Sequence, residues 1–152
     1  MEQNVRMAWH YTTGTKAAEI LRAGVLAPAT LDDPSGGTPV VWFSLRQHWE
    51  PIANERFKAP DGTLSRLSFE DTVARGQGGW RFGLPAVQLL AWRELQKSAQ
   101  LSKDHARALE RSGRKAGSDP ALWLGSLEAI DVSRCVVEHL HGEHWCGSDH
   151  EH

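Results

Sequence analysis

Several groups of side chains in this sequence have the type and spacing to do chemistry. The first is Trp9-His10-Tyr11-Thr12-Thr13-Gly14. A histidine at the end of a strand, before a threonine-rich turn, is placed to face a cleft; it also suits a core or edge position bonded to backbone. The second is Val41-Trp42-Phe43-Ser44. Adjacent residues on a strand point to opposite faces, so one ring can pack in the core while the other offers a flat surface to a ligand. The third is a choice of late carboxylates. Glu128 lies in Ser126-Leu127-Glu128-Ala129-Ile130, and Glu138 lies near Val136, Leu140 and Trp145. A carboxylate among apolar neighbours needs a raised pKa or a dedicated partner. Either glutamate equally suits a solvated sheet edge. Arg81, between Trp80 and Phe82, could meet a pyrophosphate or form a surface ion pair. Glu50, after Trp49, is a weaker candidate.

The chain ends in Cys135, His139, His141, His144, Cys146, His150 and His152. The C-x₂₋₄-C half of a zinc finger is missing. A two-residue turn at His141-Gly142 would pair Leu140 with Glu143, His139 with His144, Glu138 with Trp145 and Val137 with Cys146. Cys135 and His139 then stand about 13 Å apart on one strand and cannot share an ion. His139, His144 and Cys146 share a face, but no metal is expected. Cys135 falls diagonal to Cys146 at roughly 7–8 Å, beyond an unstrained disulfide, so reduced thiols are expected. There is no G-x-G-x-x-G, and Gly76-Gln77-Gly78-Gly79 lacks the lysine and hydroxyl residue of a phosphate loop.

The elements that must position these groups follow from patterning. Strands are predicted over Val5–Tyr11, Val25–Ala27, Pro39–Ser44 and Leu64–Phe69, then over Leu127–Val132, Arg134–Leu140 and Glu143–Cys146, and Gly76–Gly79 is a flexible turn before Trp80–Leu84. Helices are predicted over Lys16–Ala23, stopped at Gly24, over Pro85–Ser98, and over Lys103–Ala116 with Ser102 as its cap. One or two helical turns fit Trp49–Phe57. Strands, a helical pair, then strands again predict an α+β fold, mostly antiparallel, with the helical pair inserted before the C-terminal strands.

The 152 residues make one ordinary domain, spanning 1–152, with residues 147–152 expected as a flexible tail. Seventeen basic side chains face nineteen acidic ones, which gives no general field for nucleic acid or membrane. No apolar run approaches a membrane span, and the N-terminus lacks a signal-peptide core, so a cytoplasmic address is expected.

Taken together, the His-Tyr-Thr-Thr strand, the helix with Ile20-Leu21, Gly24-Val25-Leu26 and the aromatic strand ending in Ser44 resemble the N-terminal half of ADP-ribosyltransferases. The resemblance is to the His-Tyr-Glu group, which includes diphtheria-toxin-like enzymes, poly(ADP-ribose) polymerases and toxin relatives in bacteria and phage. It covers about residues 7–44. It implies a split-sheet fold that holds NAD, as substrate, in a cleft between two sheets. By resemblance, His10 contacts a ribose and the nicotinamide amide, with Tyr11 and Thr12 beside it. Trp42 takes the place of the stacking tyrosine, flanked by Phe43, and Ser44 matches a small hydroxyl residue. Glu128, with Glu138 as its competitor, takes the place of the glutamate that stabilises the oxocarbenium-like transition state. Arg81 would meet the pyrophosphate. The implied activity is ADP-ribosyl transfer to a protein or nucleic-acid acceptor, or NAD hydrolysis. Two alternatives stand beside it. One is a catalytically degenerate module on the same fold. The other is an RNA 2′-phosphotransferase-like enzyme, for which the first half offers few basic residues beyond Arg46, Arg56 and Arg66.

Overall fold

The structure, a computed structural model, describes residues 5–29 and 38–147. It is a mixed α+β arrangement in which every neighbouring strand pair runs antiparallel. The first strand, β1 (Met7–Thr13), runs into helix α1 (Gly14–Ala23). Gly24 ends that helix in the left-handed region at φ 77°, where a side chain would be strained, and its N–H closes on the Ile20 carbonyl. Strands β2 (Val25–Leu26) and β3 (Val41–Ser44) follow.

A single 3₁₀ turn at Pro51–Ala53 replaces the longer helical segment expected after Trp49. It leads into a hairpin of β4 (Arg56–Lys58) and β5 (Leu64–Arg66). Helix α2 (Phe69–Arg75) comes next, where the sequence pattern continued a strand to Phe69. The Ser68 hydroxyl accepts from the Asp71 N–H and starts this helix instead. Strand β6 (Gly79–Pro85), a short β7 (Leu90–Ala91) and helices α3 (Trp92–Ser98) and α4 (Lys103–Ala116) follow. The predicted helix over Pro85–Ser98 is thus only half a helix. Pro85 closes β6, and Leu90 pairs with Gly125 of β8 (Trp123–Ser126). Strand β9 (Ile130–Asp131) and the hairpin of β10 (Val136–His141) and β11 (His144–Gly147) complete the described chain.

In place of two comparable sheets there is one seven-stranded sheet, ordered β11-β10-β6-β1-β3-β8-β7, with two two-stranded ladders, β2-β9 and β4-β5. Strand β6 pairs with β1 on one edge and β10 on the other, so the C-terminal hairpin extends the same sheet. The strand carrying His10 and the strand carrying Trp42 are neighbours.

Side-chain alternation divides the sheet into two faces. Ala8, Phe43, Phe82, Leu84 and Leu124 pack against Ala17 of α1, Leu26 and Ile130 on one face, here the α1 face. The other face carries two clusters rich in tryptophan. Trp9, Tyr11 and Trp49 meet Phe69 and Val73 of α2, while Val40 and Trp123 meet Trp92 and Leu95 of α3 and Ala106 of α4. This is the tryptophan face.

Candidate functional site

The register decides which candidate residues can meet. Trp9 stands directly opposite Ser44 across β1 and β3, so both point to the tryptophan face. Trp42, two residues from Ser44, shares that face. His10 and Phe43 point to the α1 face, where their ring centroids lie 5.9 Å apart. The expected pairing of His10 with a stacking Trp42 does not form: the sheet stands between the two side chains. Trp42 instead packs edge and face against Trp92 at 5.8 Å and Trp123 at 6.2 Å between centroids.

His10 still touches the Trp42 residue through its backbone. Its Nδ1 lies 2.7 Å from the Trp42 carbonyl oxygen. A carbonyl only accepts, so Nδ1 carries the proton and Nε2 keeps a lone pair. Burial drives the His10 pKa below the ordinary histidine value; the Trp42 carbonyl opposes this and the Lys16 ammonium adds to it. At neutral pH the ring is therefore a neutral, fixed tautomer. Among the described residues, Nε2 has no hydrogen-bond partner. Thr12 is buried on the same face of β1.

Glu128 does not open a strand. Strand β8 ends at Ser126, and Glu128 lies exposed in the connection to β9. The Ser126 side chain causes the break: its hydroxyl accepts from the Glu128 N–H at 3.1 Å and donates to the Glu128 carbonyl at 2.8 Å. There Glu128 borders a cavity of about 370 Å³ with Leu84, Leu90, Ser126, Ile130 and Arg134. That volume lies within the range of small-ligand pockets. His10, Trp42 and Glu138 are not among its lining residues.

Glu138 faces Arg81 across β10 and β6. Its Oε1 accepts from Arg81 Nε at 2.8 Å and Nη2 at 2.5 Å. Arg81 Nη1 donates to the Gln47 carbonyl at 2.7 Å and reaches the Tyr11 hydroxyl at 3.4 Å. The guanidinium is sandwiched between two indoles, 3.7 Å from the Trp9 ring centroid and 4.5 Å from that of Trp145. Gly83 makes this possible, because a Cβ there would come within 2.5 Å of the Trp9 ring. Tyr11 donates to the Arg46 carbonyl in a short hydrogen bond. Burial, partly offset by Arg81, raises its pKa to about 12. Arg81 is therefore engaged inside the fold in an ion pair, the alternative to a pyrophosphate contact, though a shielded pair and not a surface one. Its signal was present in the sequence: a charge inside the apolar run Trp80-Arg81-Phe82-Gly83-Leu84 must find a partner.

Beside this cluster, Glu50 is buried and held by three donors. Ser44 Oγ donates to Oε1 at 2.8 Å, while the Ile52 N–H, at 3.1 Å, and the Ser118 hydroxyl donate to Oε2. Ser44 thus holds a loop carboxylate, where the resemblance placed it against a ligand. Nothing in the local sequence pairs Ser118 with Glu50, which lie 68 residues apart.

The turn of the C-terminal hairpin lies one residue beyond its expected place, which moves every cross-strand partner by two. Gly142, at φ 60°, and Glu143 make the turn, so His141 faces His144, Leu140 faces Trp145, His139 faces Cys146 and Glu138 faces Gly147. Both cysteines are free thiols. Cys135 precedes β10, and burial pushes its thiol up to about 11. His150 and His152 lie outside the described residues. No helix among the described residues is long and apolar enough to cross a membrane. No family model matches this chain, and neither curated proteins nor solved structures give a match.

Proposed function

We propose that the chain binds NAD on the α1 face and breaks its nicotinamide–ribose bond, passing ADP-ribose to a macromolecular acceptor or to water. In this reading the fold is a variant of the ADP-ribosyltransferase scaffold. The observation that carries it is His10. A neutral imidazole with Nδ1–H fixed to a carbonyl and Nε2 left with a lone pair is set to accept from a ribose hydroxyl or an amide N–H. The glycosidic electron pair leaves with nicotinamide, and the ribosyl carbon passes through a cationic transition state. Glu128 is the carboxylate assigned to stabilise it; it borders an open cavity that His10 does not line, so the reading requires NAD to reach from that cavity to His10. Glu138 is neutralised by Arg81 and lies on the other face. Arg46 and Arg66 hold backbone carbonyls of Gly117, Ile52 and Asn54, which disfavours a phosphotransferase reading.

A non-catalytic binding module is the second reading. The packing of Trp42 against Trp92 and Trp123 favours it, since the ring assigned to stack on nicotinamide is engaged by other tryptophans. Nicotinamide release, measured with and without protein or nucleic-acid acceptors, separates the two. On the enzymatic reading, Glu128→Gln lowers turnover roughly 10²–10³-fold with little change in NAD affinity. His10→Ala weakens binding and turnover together, and Glu138→Gln leaves turnover per folded molecule unchanged. Calorimetric NAD binding with no nicotinamide release supports the module. No heat with NAD at about 1 mM, the upper end of ordinary KM values, removes both.

A further inference from the structure

The observed hairpin register pairs histidines and a cysteine directly across the two strands, on the face that the expected register also gave them. His141 faces His144 and His139 faces Cys146. Directly opposed residues share a face, and residues two apart on a strand share a face. All four side chains therefore stand on one face of the β10–β11 hairpin. Their Cα positions form a rectangle about 5.5 Å across the strands and about 6.7 Å along them. The rings of His139 and His141 already lie 4.5 Å apart between centroids. His141, His144 and Cys146 are exposed, and His139 rests against Trp80 at 5.2 Å, which gives the site one packed wall.

We propose that this face binds a zinc ion through His139, His141, His144 and Cys146. Three imidazoles and one thiolate are the borderline-soft donor set zinc takes in tetrahedral geometry. Among the described residues no three such side chains converge on one point as they stand. The ion itself draws them together, through side-chain rotation on an exposed face. Zinc binds the thiolate and neutral imidazoles, so binding releases protons and affinity falls on acidification. The site is independent of the NAD reading, since neither His10 nor Glu128 belongs to it.

The test is calorimetric titration of the full chain with zinc at neutral pH, alongside cobalt as a spectroscopic probe. The expected result is one ion per chain, with a thiolate-to-cobalt charge-transfer band that Cys146→Ser abolishes. His139→Asn combined with His144→Asn should weaken zinc binding at least ~10-fold, because even outer-shell partners of metal ligands are worth that much. His150→Asn combined with His152→Asn should leave binding unchanged. Circular dichroism checks that each variant is folded. The proposal is overturned if the His150/His152 variant loses the ion, if the His139/His144 variant binds like the parent, or if the cobalt complex has no thiolate band.

Discussion

Removing the Glu138 carboxylate should destabilise the protein far more than an ordinary surface change. The Glu138 side chain is 21% exposed and that of Arg81 9%, so the pair is mostly shielded from water. Glu138→Ala deletes the acceptor of two charge-assisted hydrogen bonds, at 2.8 and 2.5 Å, and leaves the guanidinium between two indoles. Breaking a buried pair from one side costs about 3–5 kcal/mol. Water can enter from the Glu138 side, and the Gln47 carbonyl still accepts from Nη1 at 2.7 Å, so the expected cost is at the low end, about 3 kcal/mol. At this chain length that is a fall of roughly 6–12 °C in Tm. Urea unfolding should show a lower midpoint with an unchanged slope. The combination Arg81→Met with Glu138→Leu should lose less than Glu138→Ala alone, since an apolar pair of similar volume leaves no stranded charge. A loss below about 1 kcal/mol for Glu138→Ala, the value of an exposed pair, would refute the argument. So would a double variant whose loss is the sum of the two single ones.

Three further outcomes follow from the same packing. The His10 pKa is depressed on folding, so stability is full above about 6.5 and declines as pH falls between that value and the lower folded one; His10→Asn should flatten this slope in urea unfolding. Tyr11 is the single tyrosine, so phenolate absorbance should stay absent in the folded protein until about pH 12, yet appear near 10 after denaturation. Its raised folded value also means that stability is lost as pH rises from about 10 toward 12. Gly113→Ala, a change that stabilises most helix interiors by about 1 kcal/mol, should here destabilise by about 1–3 kcal/mol, because the added Cβ would sit 2.4 Å from the Trp123 ring; thermal unfolding gives the sign.

Elements with local signals were legible. Helix α4 carries its own cap at Ser102 and its own stop at Gly117, in the left-handed region at φ 101°, and its bounds match the sequence pattern. Strand β3 is a run of strand formers buried on both faces. Elements set by long-range pairing were not legible. Strand β8 carries Gly125 in its interior, which weakens any strand signal, yet the glycine is required because Val40 and Leu95 come within 3 Å of where its Cβ would be. The helical spacing of Val87, Leu90 and Leu95 is real, but the first two belong to a turn and a strand once Leu90 pairs with Gly125. The hairpin register turned on one glycine: His141-Gly142 and Gly142-Glu143 are equally good two-residue turns on paper. Moving the turn by one position shifted each cross-strand partner by two, so the facing side stayed the same while His141 gained His144 as its direct partner.

The candidate site was legible in its residues and not in its geometry. Side-chain parity along β1 and β3 is written in the sequence, but which residues oppose each other is not. One pairing, Trp9 with Ser44, is enough to send His10 and Trp42 to opposite faces. That pairing also sorts the remaining candidates by role. Tyr11, Ser44, Arg81 and Glu138 fall on the tryptophan face, where each has protein partners: Tyr11 and Arg81 bind backbone carbonyls, Arg81 binds Glu138, and Ser44 binds Glu50. Groups engaged in this way hold the fold together, so changes there should register as stability. His10, whose Nε2 has no hydrogen-bond partner among the described residues, and Glu128, at the rim of an open cavity, are candidates with capacity to spare. If the NAD reading holds, ligand effects concentrate in these two while the tryptophan face answers only in unfolding experiments; ligand effects from Arg81 or Ser44 at undiminished stability would reverse the assignment of the faces.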